Sequence, residues 1–159
     1  MRRTPSAIER EIKQTRPFPS QRQEAAVALM RTADTLRHTL AQFLEPLGIT
    51  AQQYNVLRIL RGARPERLPT LEIAERMIER TPGITRLLDR LEAKRLAHRE
   101  RSAPDRRQVL CGITPAGLEL LRRIDGTVNE VEVRSLGRLT DEQTRQLIRL
   151  LDLIREGTP

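Results

Sequence analysis

Residues 68–94 read LPTLEIAERMIERTPGITRLLDRLEAK, and the fold is decided by how this stretch divides. Leu68-Pro69-Thr70 leads into a brief apolar-periodic segment from Leu71 to about Met77. A break follows near Arg80-Thr81-Pro82, and a second segment places Ile84, Leu87, Leu88 and Leu91 on one helical face. Thr81 before Pro82 has the chemistry of an N-cap followed by a first-turn proline, so the second helix is expected to start at about Thr81. Two short helices joined by a tight turn are the ingredients of a helix-turn-helix.

Downstream, Leu96 to Arg101 and Gln108 to Ile113 are short enough to be strands, with Val109, Cys111 and Ile113 sharing a face and Ser102-Ala103-Pro104-Asp105 supplying turn chemistry between them. This is a hairpin with a basic tip. Thr114-Pro115 then opens a helix carrying Leu118, Leu120, Leu121, Ile124 and Val128 and reaching towards Val133. Thr140 with Gln143 forms a capping box for a last helix with Leu147, Ile148, Leu150, Leu151 and Ile154.

Upstream, Thr50 with Gln53 is another capping box, stapled by Ile49 and Tyr54, for a helix closed by Gly62; Arg61 to Pro69 then reads as a basic loop. Before it, Ser20 and Gln23 start a long helix ending before Pro46. Its Ala26, Leu29, Ala33, Leu36, Leu40 and Phe43 alternate steps of three and four, a stripe narrow enough to be a helix-pairing seam. Residues 1–19 carry three prolines and five basic residues and read as a mobile or docking arm with a short helix at Ile8 to Lys13.

The expected fold is mainly α with a small β wing. It divides into an arm (1–19), a dimerisation helix (20–49), a winged helix-turn-helix (50–113) and dimerisation helices (114–159).

Composition narrows the function. The 159 residues include 29 Lys and Arg against 21 Asp and Glu, a net +8, and residues 54–113 alone contribute +6. Aromatic residues are 2% of the chain, Phe18, Phe43 and Tyr54, which argues against a single-strand reader that stacks bases and favours duplex phosphate. One cysteine and two histidines, His38 and His98, cannot assemble a zinc site of the usual composition; no metal or cofactor is expected. No apolar run approaches the roughly 20 residues that span a bilayer, so a cytoplasmic protein away from the membrane is expected. No nucleophile and base constellation suggests an enzyme.

A helix enters the major groove with its first turns facing base edges, which suits Thr81, Gly83, Thr85, Arg86 and Arg90. The bland alternative is that Arg86 and Arg90 form a solvated face, pairing with Asp89 or Glu92. At the hairpin tip, Asp105, Arg106 and Arg107 combine a turn-forming carboxylate with two guanidiniums suited to a narrow minor groove, although such a tip is also simply a charged turn.

Taken together, Leu68 to Arg76, Ile84 to Lys94, Asp105-Arg106-Arg107 and Thr114-Pro115-Ala116-Gly117 resemble the MarR family of bacterial transcriptional regulators, over about Ser20 to the C-terminus. The resemblance implies a homodimer gripping a palindromic double-stranded DNA operator. Arg107 would be the wing arginine, Asp105 its supporting carboxylate, and a small-molecule effector pocket would lie near Phe43, Tyr54 and Arg58. A ligand-responsive repressor is the expected function; a nonspecific or architectural DNA binder and a helical protein-interaction adaptor are the alternatives. Two departures stand out. Arg95 occupies the position where the family ends its recognition helix with glycine, which places an ordinary residue in a left-handed conformation. The first helix also lacks the cysteine of the family's peroxide-sensing branch, and Cys111 reads as a small buried residue.

Overall fold

The computed structural model describes residues 4–80, 83–102 and 108–157. Seven helices and a three-stranded sheet are present among them, in the order α1 (Ala7–Glu11), α2 (Gln21–Leu44), α3 (Ala51–Gly62), β1 (Leu68–Pro69), α4 (Thr70–Glu75), α5 (Ile84–Ala93), β2 (Ala97–Arg101), β3 (Val109–Ile113), α6 (Pro115–Leu136) and α7 (Asp141–Glu156).

Helix starts follow their caps. Thr50 and Thr140 each accept the backbone N–H three residues on, and Gln53 and Gln143 return the bond, so both capping boxes close. Ser20 accepts from the Gln23 N–H at 3.2 Å and starts α2. A further capping box, Ser6 with Glu9, starts α1, which packs on α2 with Ile8 and Glu9 buried and an Arg31–Glu11 ion pair at 2.7 Å. The long helix α2 ends in a 3-10 turn over Glu45–Leu47.

One core joins these elements. Leu44 and Ile49, Val56, Leu57 and Leu60 of α3, Ile73 of α4, Leu87, Leu88 and Leu91 of α5, Cys111 and Ile113 of β3, and Leu121 and Ile124 of α6 are all buried in it. The sheet order is β1-β3-β2, antiparallel throughout, with Ala97 opposite Ile113 and Arg99 opposite Cys111.

Two expectations need correction. Leu68 and Pro69 are not loop: they pair with Cys111 and Leu110 as an edge strand, where a proline is tolerated because its missing N–H faces away from the ladder. And α5 begins at Ile84, not at a Thr81 cap. Its N-cap is Gly83, whose φ of +99° lies in the left-handed region and interrupts any helix running through it from Pro82. Residues 81 and 82 themselves lie outside the described residues.

Candidate nucleic-acid interface

Helix α5 is two-faced. Leu87, Leu88 and Leu91 point into the core, while Thr85, Arg86, Asp89 and Arg90 are exposed. The helix ends in a Schellman turn: the Leu96 N–H donates to the Leu91 carbonyl at 2.9 Å and the Arg95 N–H to the Glu92 carbonyl at 2.8 Å. That geometry requires a left-handed residue, and Arg95 supplies it at φ +58°. The chain therefore turns from α5 into β2 through a left-handed residue, at the strain cost of a residue with a Cβ.

The carboxylates of α5 are spoken for. Arg99 on β2 places Nη2 2.7 Å from Asp89 and 2.6 Å from Glu92, and the Arg99 backbone N–H donates to Glu92 Oε1 at 3.0 Å. The hydrogen bond from Arg99 holds the Glu92 carboxyl below its ordinary value and raises the guanidinium in return. Among the described residues, no carboxylate pairs with Arg86 or Arg90, so their pairing with Asp89 or Glu92, the alternative open at the sequence level, does not occur there. Partly exposed pairs contribute only about 0–1 kcal/mol each. What the Arg99 cluster chiefly settles is which charges α5 presents.

The strands β2 and β3 project beside α5, and the Ser102 N–H to Gln108 carbonyl bond at 2.9 Å extends their ladder towards the tip. Asp105, Arg106 and Arg107, like Thr81, fall outside the described residues. At the base of the wing, the Thr114 hydroxyl donates to the Arg95 carbonyl at 2.7 Å and accepts the Gly117 N–H at 3.0 Å. A Cβ on Gly117 would sit 2.2 Å from the Leu96 carbonyl oxygen. The Thr-Pro-Ala-Gly motif thus presses α6 directly against the joint between α5 and the wing.

The profile of the MarR family matches residues 47–108. The chain is also 40% identical to a MarR transcription factor from Planctomyces limnophilus, with 86% of this chain and 99% of that one covered and a TM-score of 0.67. The chain belongs to the MarR family. It is accordingly a DNA-binding transcriptional regulator with a winged-helix fold. It is also 28% identical over 124 residues to the HTH-type transcriptional repressor Rv2887 of Mycobacterium tuberculosis, covering 78% of this chain and 88% of that protein. MepR of S. aureus, solved as a complex with DNA, matches at 25% identity and a TM-score of 0.77, over 84% of this chain and 97% of MepR.

Within this MarR-family chain a cavity of about 380 Å³ opens between α2, α3, α6 and the segment joining α4 to α5. Tyr54 and Arg58 are on its wall, the Arg58 guanidinium 5.7 Å from the centre of the Tyr54 ring. Phe43 is not on the wall; it packs against the core. Met77 and Ile78 line the cavity from the joining segment, which is tethered to α3 by the Ile78 N–H donating to Asn55 Oδ1 at 2.9 Å. Asn55 and Ile78 carry no sequence signal that singles them out; the tether appears only in three dimensions.

Elsewhere, α7 buries no side chain and leaves Ile148, Leu150, Leu153 and Ile154 at least half exposed, and Leu29 and Met30 of α2 are exposed as well. The Cys111 thiol is buried, 3.7 Å from the Thr70 hydroxyl, and burial pushes its pKa up. Among the described residues, no cluster of His, Cys, Asp or Glu could hold a metal ion, and no helix is long and apolar enough to cross a membrane.

Proposed function

We propose that the protein is a homodimeric, sequence-specific repressor acting in the cytoplasm, in which α5 reads the major groove of double-stranded DNA through Thr85, Arg86 and Arg90. The observation that carries this reading is the exposed pair Arg86 and Arg90, four residues apart on one face and without a carboxylate partner among the described residues. Guanidiniums so placed suit phosphate or the O6 and N7 of guanine. Thr81 and Gly83 would lie at the leading end of the helix, and Asp105, Arg106 and Arg107 would enter the adjacent minor groove. The relative named a repressor and the DNA complex of MepR support the same direction.

Dimerisation is supported by α7, where Leu150, Leu153 and Ile154 share one helical face and are at least half exposed in a single chain. Such a face is an assembly surface when it repeats along a helix. A two-fold dimer would place two α5 helices on a palindromic operator with half-sites about 10 bp apart.

Ligand response is supported by the cavity, whose wall includes Met77 and Ile78 of the segment between α4 and α5. An effector that favours one position of this segment would shift the population of α5 spacings, and so change DNA affinity only by its differential affinity for those states.

The test is a gel-shift titration of the purified protein on the DNA flanking its own gene, against a random duplex. Tighter, salt-dependent binding to the flanking DNA that is weakened by Arg86→Ala and Arg90→Ala supports the reading. Equal affinity for both duplexes would instead identify a nonspecific DNA binder.

A further inference from the structure

Helix α5 taken alone is electrically neutral, with Arg86 and Arg90 against Asp89 and Glu92. A neutral helix is a poor visitor to a groove walled by phosphates. Asp89 also stands three residues after Arg86, the spacing at which opposite charges pair on a helix. Left to itself, Asp89 would draw the Arg86 guanidinium away from DNA. The structure gives Asp89 another partner. Arg99, on the outer strand of the sheet, reaches both carboxylates through one guanidinium, with Nη2 2.7 Å from Asp89, Nη2 2.6 Å and Nε 3.0 Å from Glu92. Its backbone N–H, on the edge of the sheet away from β3, adds a third bond to Glu92 at 3.0 Å.

We propose that Arg99 is a positioning residue for DNA binding: by engaging Asp89 and Glu92 together it leaves Arg86 free to meet a phosphate and gives α5 its net positive charge. The inference rests on the reading of α5 as the DNA-facing helix. It assigns Arg99 no contact with DNA; the side chain acts through Arg86. The planar fork of arginine is needed because a single ammonium cannot address two carboxylates with comparable geometry.

The experiment uses the full-length protein and a fluorescein-labelled duplex that it selects from a random-sequence pool, with affinity measured by anisotropy over a series of KCl concentrations. Arg99→Met is expected to weaken binding several-fold and to lower the slope of log K against log salt by about 0.9, the value of one phosphate contact. Adding Asp89→Asn to Arg99→Met is expected to return the slope to the wild-type value, because Arg86 then has no competing partner. Asp89→Asn alone should leave the slope unchanged. The proposal is overturned if Arg99→Met leaves the slope unchanged, or if the double variant binds no better than Arg99→Met, since a purely structural role for Arg99 is not repaired by removing a charge from α5. Should Arg99→Met not fold, Arg99→Lys takes its place: the slope is expected to fall and Asp89→Asn to restore it, and no restoration overturns the proposal. If instead Arg86→Ala binds as tightly as wild type, the reading of α5 itself is wrong.

Discussion

Replacing Gly117 by alanine tests the joint on which the wing is mounted. A Cβ there would lie 2.2 Å from the Leu96 carbonyl oxygen and 2.7 Å from Ile113 Cγ1. Ordinary contacts of these atoms are near 3.5 Å, so the oxygen must yield by about 1 Å or α6 must move away. Neither is easy. The Leu96 carbonyl is already bonded by the Thr114 N–H at 3.1 Å, and the Leu96 N–H closes the Schellman turn of α5. Overpacking against atoms held this way costs about 1–3 kcal/mol, which for a chain of this size lowers Tm by roughly 2–12 °C. Differential scanning calorimetry of Gly117→Ala measures the loss. Gly126→Ala is the internal control: it lies on the same helix with nothing within 4 Å of the new Cβ, and helix propensity alone predicts a gain of about 0.5–1 kcal/mol. A neutral or stabilising Gly117→Ala would refute the packing described for α6 against the wing.

Leu153 of α7 is 63% exposed, and covering it in a dimer contributes about 1–2 kcal/mol per protomer; Leu153→Ala should raise the dimer dissociation constant at least about tenfold, and Leu153→Glu should give a monomer by sedimentation velocity, whereas an unchanged dimer would exclude α7 from the interface. Cys111 should resist alkylation in the native protein and react fully once unfolded, because its thiol is buried and its pKa raised; fast native labelling, followed by mass spectrometry, would contradict this. Because Arg99 lowers the folded-state pKa of Glu92, the stability this carboxylate contributes is present above its ordinary 4.5 and is lost as pH falls through the lowered value. Thermal melts taken at decreasing pH should therefore show a shallower acid limb for Glu92→Gln than for wild type, and identical limbs would show the pair contributes nothing.

Much of this architecture is written locally. The Thr50–Gln53 and Thr140–Gln143 boxes mark helix starts because their bonds close within four residues, whereas the left-handed Arg95 is legible only through the family resemblance, which has glycine at that position. The two-residue strand β1 is not legible: Leu68 and Pro69 are too few to show a period, and only their pairing with β3 makes them a strand. The start of α5 misled for a related reason, since Thr81-Pro82 has the chemistry of a cap, yet Gly83 adopts a conformation that no neighbouring residue announces. For the interface, the exposure of Arg86 and Arg90 follows from helical periodicity, but the fate of Asp89 and Glu92 does not. Spacing rules compare residues three and four apart on one helix; the true partner, Arg99, arrives from the next strand. The cavity likewise gathers residues from three helices and a connecting segment, and its tether from Ile78 to Asn55 spans 23 positions.

The most direct measurement is hydroxyl-radical footprinting of the wild-type protein on the DNA flanking its gene, repeated with Arg86→Ala. A two-fold dimer gripping DNA through α5 gives two protected half-sites about 10 bp apart, with protection lost or much weakened in the variant. Uniform protection without half-sites, or a footprint that Arg86→Ala leaves intact, would contradict it.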